Sequence, residues 1–182
     1  ALTGGMAMNQ DSRELRNRSQ TEDCLRDPVC GMQVAPDQHA ITHQQMHFAF
    51  CSAQCKERFI ANPHLYIGYP GNKAPAQEGR TVMKHRQLKL DKSLPDDLAL
   101  QVFMCIKEMM GIRHVDIKGD TIDIHYDLLQ VTESQIESAL AEVGVTLGHS
   151  WSERLRRAFV HYFEETEVSS LEVPPGAGGH HH

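Results

Sequence analysis

Cys30 stands in Asp27-Pro28-Val29-Cys30-Gly31-Met32, and Cys51 and Cys55 stand in Phe50-Cys51-Ser52-Ala53-Gln54-Cys55. A turn cysteine followed by a pair at helical spacing is a donor pattern for a soft metal ion. On a helix, residues four apart share a face, so Cys51 and Cys55 would offer both sulfurs to one ion. Cys55 falls in the first turn of the predicted helix. The dipole there favours thiolate, the species that binds metal. Gly31 lets the backbone fold tightly around Cys30, as knuckle-type metal turns need. Three thiolates leave a tetrahedral site one donor short, and Cys24, His39, His43, His47, water or a transfer partner are candidates for the fourth. A three-coordinate site suits Cu⁺ and exchange, whereas a filled four-coordinate site suits structural Zn²⁺. Either case implies one ion per chain. The cysteines could instead serve as small buried hydrophobes, but a small unit with so little apolar mass would gain from a metal clamp.

Other chemistry is poorly represented. The chain holds no serine-histidine-acid arrangement, phosphate-binding loop, dinucleotide fingerprint or zinc-protease motif, so it reads as a metal binder and not an enzyme. A cysteine nucleophile at Cys51 is conceivable, but the Cys51–Cys55 spacing favours coordination. Cys105 and the methionines Met104, Met109 and Met110 fall on helical core positions. Met32 and Met46 flank the cysteine cluster. His114 and His125 could pair across a hairpin on its polar face, where solvated side chains are the ordinary outcome.

The formal net charge is −6, without a block of lysine or arginine, which excludes the clustered positive face that nucleic acid requires. No stretch reaches the ~18 apolar residues that cross a bilayer. Residues 1–23 contain no secretory-signal core. A cytoplasmic location is therefore expected, where disulfides are rare. Five cysteines, an odd number, also fit poorly with a fully paired framework. His180, His181 and His182 after Gly178-Gly179 look like a purification tag.

The predicted class is α+β. Residues 1–23 form a tail. Residues 24–67 form a cysteine-bearing unit, with two short strands around His43-Gln44-Gln45 and a helix over Ser52–Ala61 that Asn62-Pro63 ends. Residues 68–82, rich in Gly and Pro, form a linker. In residues 83–149 the order is strand, helix, strand, strand, helix and a last short strand at Val145–Leu147. The first helix starts at Pro95, and Gly111 stops it. Lys118-Gly119-Asp120 turns a hairpin. Thr132 and Gln135 have capping-box spacing. This βαββαβ order predicts a ferredoxin-like sandwich with a four-stranded antiparallel sheet. Residues 150–167 form an amphipathic C-terminal helix. Trp151, Leu155, Ala158, Phe159, Tyr162 and Phe163 lie on its packed side, or on a surface for a homodimer or docking partner. Residues 168–182 are tail and tag.

Asp27-Pro28-Val29-Cys30-Gly31-Met32, Phe50-Cys51-Ser52-x-x-Cys55-x-x-x-Phe59 and Asn62-Pro63-x-x-Tyr66 together resemble a YHS domain, of the TRASH-like heavy-metal modules. The resemblance covers roughly residues 26–67. It implies a treble-clef or knuckle-like unit with Cys30, Cys51 and Cys55 as metal ligands, in metal trafficking, resistance or sensing. Phe48 stands where the family commonly has tyrosine. Residues 83–149 resemble a heavy-metal-associated domain of the copper-chaperone type in element order and in Gly111-Ile112-Arg113-His114-Val115. That family's Cys-x-x-Cys loop is replaced here by Asp91-Lys92-Ser93-Leu94-Pro95-Asp96-Asp97. The second unit is then a scaffold or docking module, and a metal-transporting P-type ATPase is the implied partner. The alternative function is a structural zinc module acting in protein–protein interaction.

Overall fold

A computed structural model describes residues 24–174, with the side chains of Trp151 and Leu155 left aside. The expected tail 1–23 and the histidines 180–182 lie outside the described residues. Seven strands and four α-helices follow in order. They are β1 (Leu25–Arg26), β2 (Gln33–Val34), β3 (Ile41–His43), β4 (Met46–Phe48), α1 (Ala53–Ala61), β5 (Met83–Lys89), α2 (Asp96–Glu108), β6 (Ile112–Lys118), β7 (Thr121–Asp127), α3 (Glu133–Glu142) and α4 (Trp151–Glu172). A 3-10 turn at Pro63–Leu65 follows α1. The mixed α+β class is as expected.

The first unit is two small antiparallel ribbons, β1–β2 and β3–β4, closed by α1. Gln44 and Gln45 make the β3–β4 turn, both with positive φ (50° and 64°). That pair of dihedrals gives the tight hairpin whose twist suits its strands. Phe59 on α1 is the hub of this unit's core. Its ring centroid lies 4.8 Å from Phe48, 5.2 Å from Phe50, 5.8 Å from His43 and 5.9 Å from Tyr66. Aromatic pairs in this range add to their area burial. Phe48, at the position where tyrosine was anticipated, is thus a packing ring.

In the second unit, β5, β7 and β6 form an antiparallel sheet in that order. Alternation puts Ile122, Ile124 and Tyr126 of β7 on the buried face, where Val102 and Ile106 of α2 and Ile136 and Leu140 of α3 are also buried. The Thr132 capping box is closed: Thr132 Oγ1 accepts from Gln135 N at 3.3 Å, and Gln135 Oε1 accepts from Thr132 N at 3.2 Å.

The structure corrects three expectations. The sheet has three strands, not four. The Val145–Leu147 segment contributes one bridge, Leu147 to Leu90, because Gly144 (φ 83°) and the turn to α4 leave it too short to pair further. Residues 68–82 are not a slack linker. Tyr69 bridges Asn72, Ala74 is buried, Ala76 N donates to Leu65 O at 3.0 Å, and Val82 N donates to Asp127 Oδ1 at 3.0 Å. A Cβ on Gly68 would stand 2.2 Å from Asn72 O, so this glycine permits a tight turn. Finally, α4 extends to Glu172 and docks by a different face. Phe159, Tyr162 and Phe163 are 54%, 63% and 61% exposed, whereas Glu164 and Val168 are buried.

Polar contacts decide which face of α4 turns inward. The Glu164 carboxylate accepts from Tyr126 OH and from Glu133 N (3.0 Å). His161 and Arg157 meet Glu137 at 2.6 and 3.3 Å. Lys84 pairs with Glu167. A buried carboxylate must keep its partners, and these lie on the side of α4 that carries Glu164, not on the aromatic side.

The two units share one hydrophobic core, which runs from Phe50, Phe59 and Leu65 to Ile106, Ile122 and Leu128. Polar side chains of the first unit fasten it to backbone of the second. Gln54 Nε2 donates to Met110 O (2.8 Å) and Gln130 O (3.2 Å), while Gln54 Oε1 accepts from Met110 N (3.2 Å). Arg58 Nε donates to Leu128 O at 3.2 Å, and Tyr66 OH donates to Leu129 O.

Glu133 is 3% exposed, and its Oε2 has no hydrogen-bond partner. Burial first, then the charges of Glu137 and Glu164, raise its pKa from 4.5 to about 7. A carboxyl with a raised folded-state pKa loses stabilisation as pH rises from the unfolded value to the folded one. Glu133→Gln is therefore expected to raise stability at pH 8 by about 1–3 kcal/mol, with the gain vanishing below about pH 4.5. Thermal melts across that range check this; an equal difference at every pH would refute it.

Candidate metal centre

The three cysteines approach the site from two elements. Cys30 sits on the turn between β1 and β2. Cys55 is at the third position of α1, and Cys51 precedes the helix cap. Ser52 holds extended backbone (φ −156°, ψ 165°) as N-cap, its Oγ accepting from Cys55 N at 3.4 Å. Cys51 and Cys55 are thus not a pair on one helix face, as their spacing suggested. The cap bends the chain so that a residue outside the helix faces one in its first turn.

The sulfurs converge. Cys30 Sγ lies 3.4 Å from Cys51 Sγ, and Cys51 Sγ lies 3.5 Å from Cys55 Sγ. Tetrahedral Zn–S bonds of ~2.3 Å would set sulfurs about 3.8 Å apart, so an ion needs only a few tenths of an ångström of spreading. Cys55 is buried, and Cys30 and Cys51 are half-buried.

Asp27 completes the cluster and had no role assigned from sequence. Its carboxylate is fully buried, and its donor atoms and the three sulfurs all lie within 4.8 Å of one another. Oδ1 accepts from Val29 N (2.8 Å) and Cys30 N (3.3 Å), and Oδ2 accepts from Cys51 N (2.8 Å). One side chain thereby sets the Cys30 turn and ties it to Cys51, 24 residues on. The available sequence signal was Asp-Pro, since an aspartate commonly bonds the N–H two residues ahead in a turn. Gly31 follows with φ +80°, a backbone conformation that favours glycine, and a Cβ there would meet the Arg26 guanidinium at 3.2 Å.

Of the proposed fourth donors, the side chains of Cys24, His39, His43 and His47 do not belong to this group. His47 Nε2 contacts Pro36 O at 2.6 Å. His43 packs edge-on against Phe59. His39 is exposed on a positive-φ turn. Cys24 is also outside the cluster.

The thiols differ electrostatically. A hydrogen bond from Cys55, with help from Met32 N–H and Cys51, lowers the Cys30 pKa to about 7 despite partial burial. Burial pushes Cys51 up to about 11. Cys55 is raised, first by its hydrogen bond to Cys30 and then by burial. Cys30 is thus the thiol that gives up its proton most readily, while Cys51 and Cys55 hold theirs more tightly. An ion binding all three sulfurs must displace those protons.

A cleft of about 660 Å³ opens beside Cys30 at the junction of the units. It is bordered by Asp27, Cys30, Gln130 and the basic residues Arg26, Lys73, Arg80 and Arg113. It gives solvent a route to the Cys30 side of the sulfur cluster.

Removing the Asp27 carboxylate strands the N–H groups of Val29, Cys30 and Cys51. Asp27→Ala is expected to cost about 2–5 kcal/mol in urea unfolding. An unchanged midpoint would show that the carboxylate does not hold the turn.

No curated protein and no solved structure matches this chain. Residues 25–69, the segment holding Asp27 and all three sulfurs, match the family model of the YHS domain.

Proposed function

We propose that this protein binds a soft heavy-metal ion, Cu⁺ or Zn²⁺, through the thiolates of Cys30, Cys51 and Cys55, one ion per chain, and acts in metal trafficking, resistance or sensing instead of catalysis. The observation that carries this is the convergence of three sulfurs at 3.4 and 3.5 Å from separate elements, within a segment that matches a YHS domain. Soft thiolates select such ions over Mg²⁺ or Ca²⁺. Cys30, the most acidic of the three thiols and on the cleft wall, is the first ligand an incoming ion meets. Cys51 and Cys55 then lose their protons and close the site. Release reverses this order, and a partner thiolate entering through the cleft swaps ligands one at a time.

The second unit serves as a docking scaffold in this scheme. Its β5–α2 connection has no cysteine, so it holds no ion in the manner of the heavy-metal-associated domains it resembles in element order. Arg26, Lys73, Arg80 and Arg113 around the cleft suit an acidic partner surface, and a metal-transporting P-type ATPase is the proposed recipient. The exposed Phe159, Tyr162 and Phe163 of α4 suit a homodimer contact.

A structural zinc role in protein interaction is the second reading, favoured by the complete burial of Cys55 and by Asp27 as a fourth donor. One experiment separates the two. In metal-content and competition measurements with Cu⁺ and Zn²⁺, Cys51→Ser should lower affinity at least about tenfold. A transport site leaves the metal-free protein folded by circular dichroism, whereas a structural site unfolds when the ion is chelated. Unaltered affinity in Cys51→Ser would end both readings.

A further inference from the structure

The solvent face of the β5–β7–β6 sheet carries a second set of metal-ligand side chains, remote in chemistry from the thiols. His85 of β5 lies directly opposite His125 of β7 in the antiparallel register. Their imidazoles stack at 4.2 Å with an 11° interplanar angle. Asp123 precedes His125 by two residues and shares its face by the strand period. Its carboxylate is approached by both rings: His85 Nε2 lies 2.8 Å from Oδ2, and His125 Nε2 lies 3.6 Å from Oδ1. Gln87 Nε2 donates to the same Oδ2 at 3.1 Å and fixes the carboxylate from behind. On the other side of β7, His114 is the register partner of His125, with ring centroids 5.8 Å apart. Three imidazoles thus cross the sheet in one row, above a carboxylate.

We propose that His85, His125 and Asp123 form a site for a borderline divalent transition-metal ion of the Zn²⁺, Ni²⁺ or Cu²⁺ class. The donor atoms of these three residues all fall within 4.8 Å of one another. A divalent ion with bonds of ~2.0–2.2 Å needs tetrahedral donors about 3.3 Å apart. The side chains are 52%, 43% and 29% exposed, so modest rotation closes the set. Two imidazoles and a carboxylate suit borderline ions, unlike the sulfur cluster, which suits softer ones. Asp123 supplies the carboxylate oxygen of the set, held in place by His85 Nε2 and Gln87 Nε2. Lys84 and Arg86 project to the opposite face, toward Glu167 and Glu164, and so do not compete for the carboxylate. On β6, His114 opposite His125 and Asp116 opposite Asp123 flank the set, Asp116 being paired with Lys118. This site does not depend on the thiolate reading.

The test titrates the full chain with Zn²⁺ alone to two equivalents while following imidazole resonances by NMR, in wild type, Cys51→Ser, His85→Ala and Asp123→Asn. The His85 and His125 resonances are expected to shift in wild type and equally in Cys51→Ser. His85→Ala should weaken this binding event at least about tenfold by calorimetry, with Asp123→Asn also weaker. His85 is exposed and Asp123 half-buried on the same face of the sheet, and neither belongs to the hydrophobic core. Resonances of His85 and His125 that stay fixed through two equivalents, or a His85→Ala protein that binds both equivalents like wild type, would overturn the site. Shifts confined to His180–His182 count against it in the same way.

Discussion

The architecture of the thiol cluster depends on one buried anion. Asp27 is shielded from water and is held by three backbone N–H groups, not by a cation. A desolvated carboxylate is costly unless its lone pairs are occupied, so those three donors cannot drift without a large penalty. Two of them belong to the Cys30 turn and one to Cys51. The requirement that satisfies the charge is therefore the same one that draws the sulfurs together. It also leaves negative charge beside the thiols, a field that favours a cation among them.

A second constraint joins the halves of the molecule. Helix α1 presents Cys55 to the cluster and Gln54 to the opposite side, where one amide takes three backbone partners. Gln135 extends the joint: while its Oε1 caps α3, its Nε2 donates to Gln54 O at 3.1 Å. Helix α4 spans both units, fixed to the sheet through Glu164 and to the 3-10 turn through Glu172, which accepts from His64 N at 3.1 Å. These are contacts to fixed backbone, and they give a defined orientation that apolar packing alone would leave looser.

Local chemistry made much of this legible in the sequence. The Gln44-Gln45 turn, the Asn62-Pro63 stop, the Gly119 hairpin and the Thr132–Gln135 box all depend on residues within a few positions of one another. The mixed class was legible from the same local patterns, while the approach of Cys30 to Cys51, 21 residues on, is a product of the fold. What escaped was decided by partners far along the chain. Spacing alone could not tell that Ser52 caps the helix and excludes Cys51 from it. The hydrophobic pattern of α4 pointed to Phe159, Tyr162 and Phe163, yet Tyr126 OH and Glu133 N, on other elements, bind Glu164 and turn the opposite face inward. The Gly- and Pro-rich 68–82 segment looked slack by composition, but its turns fold back on both units. Asp27 had no role assigned from sequence, since its bond to Cys51 N, 24 residues on, has no local signature. His85 lies 40 residues from His125, and only the sheet register brings them into line.

The single core and the Gln54 joint make energetic independence of the two halves untenable. An ion bound at the sulfurs would favour the folded state by mass action. Since that state includes the sheet and the long terminal helix, the whole fold, and the aromatic side of α4 with it, would share any gain in cooperative stability.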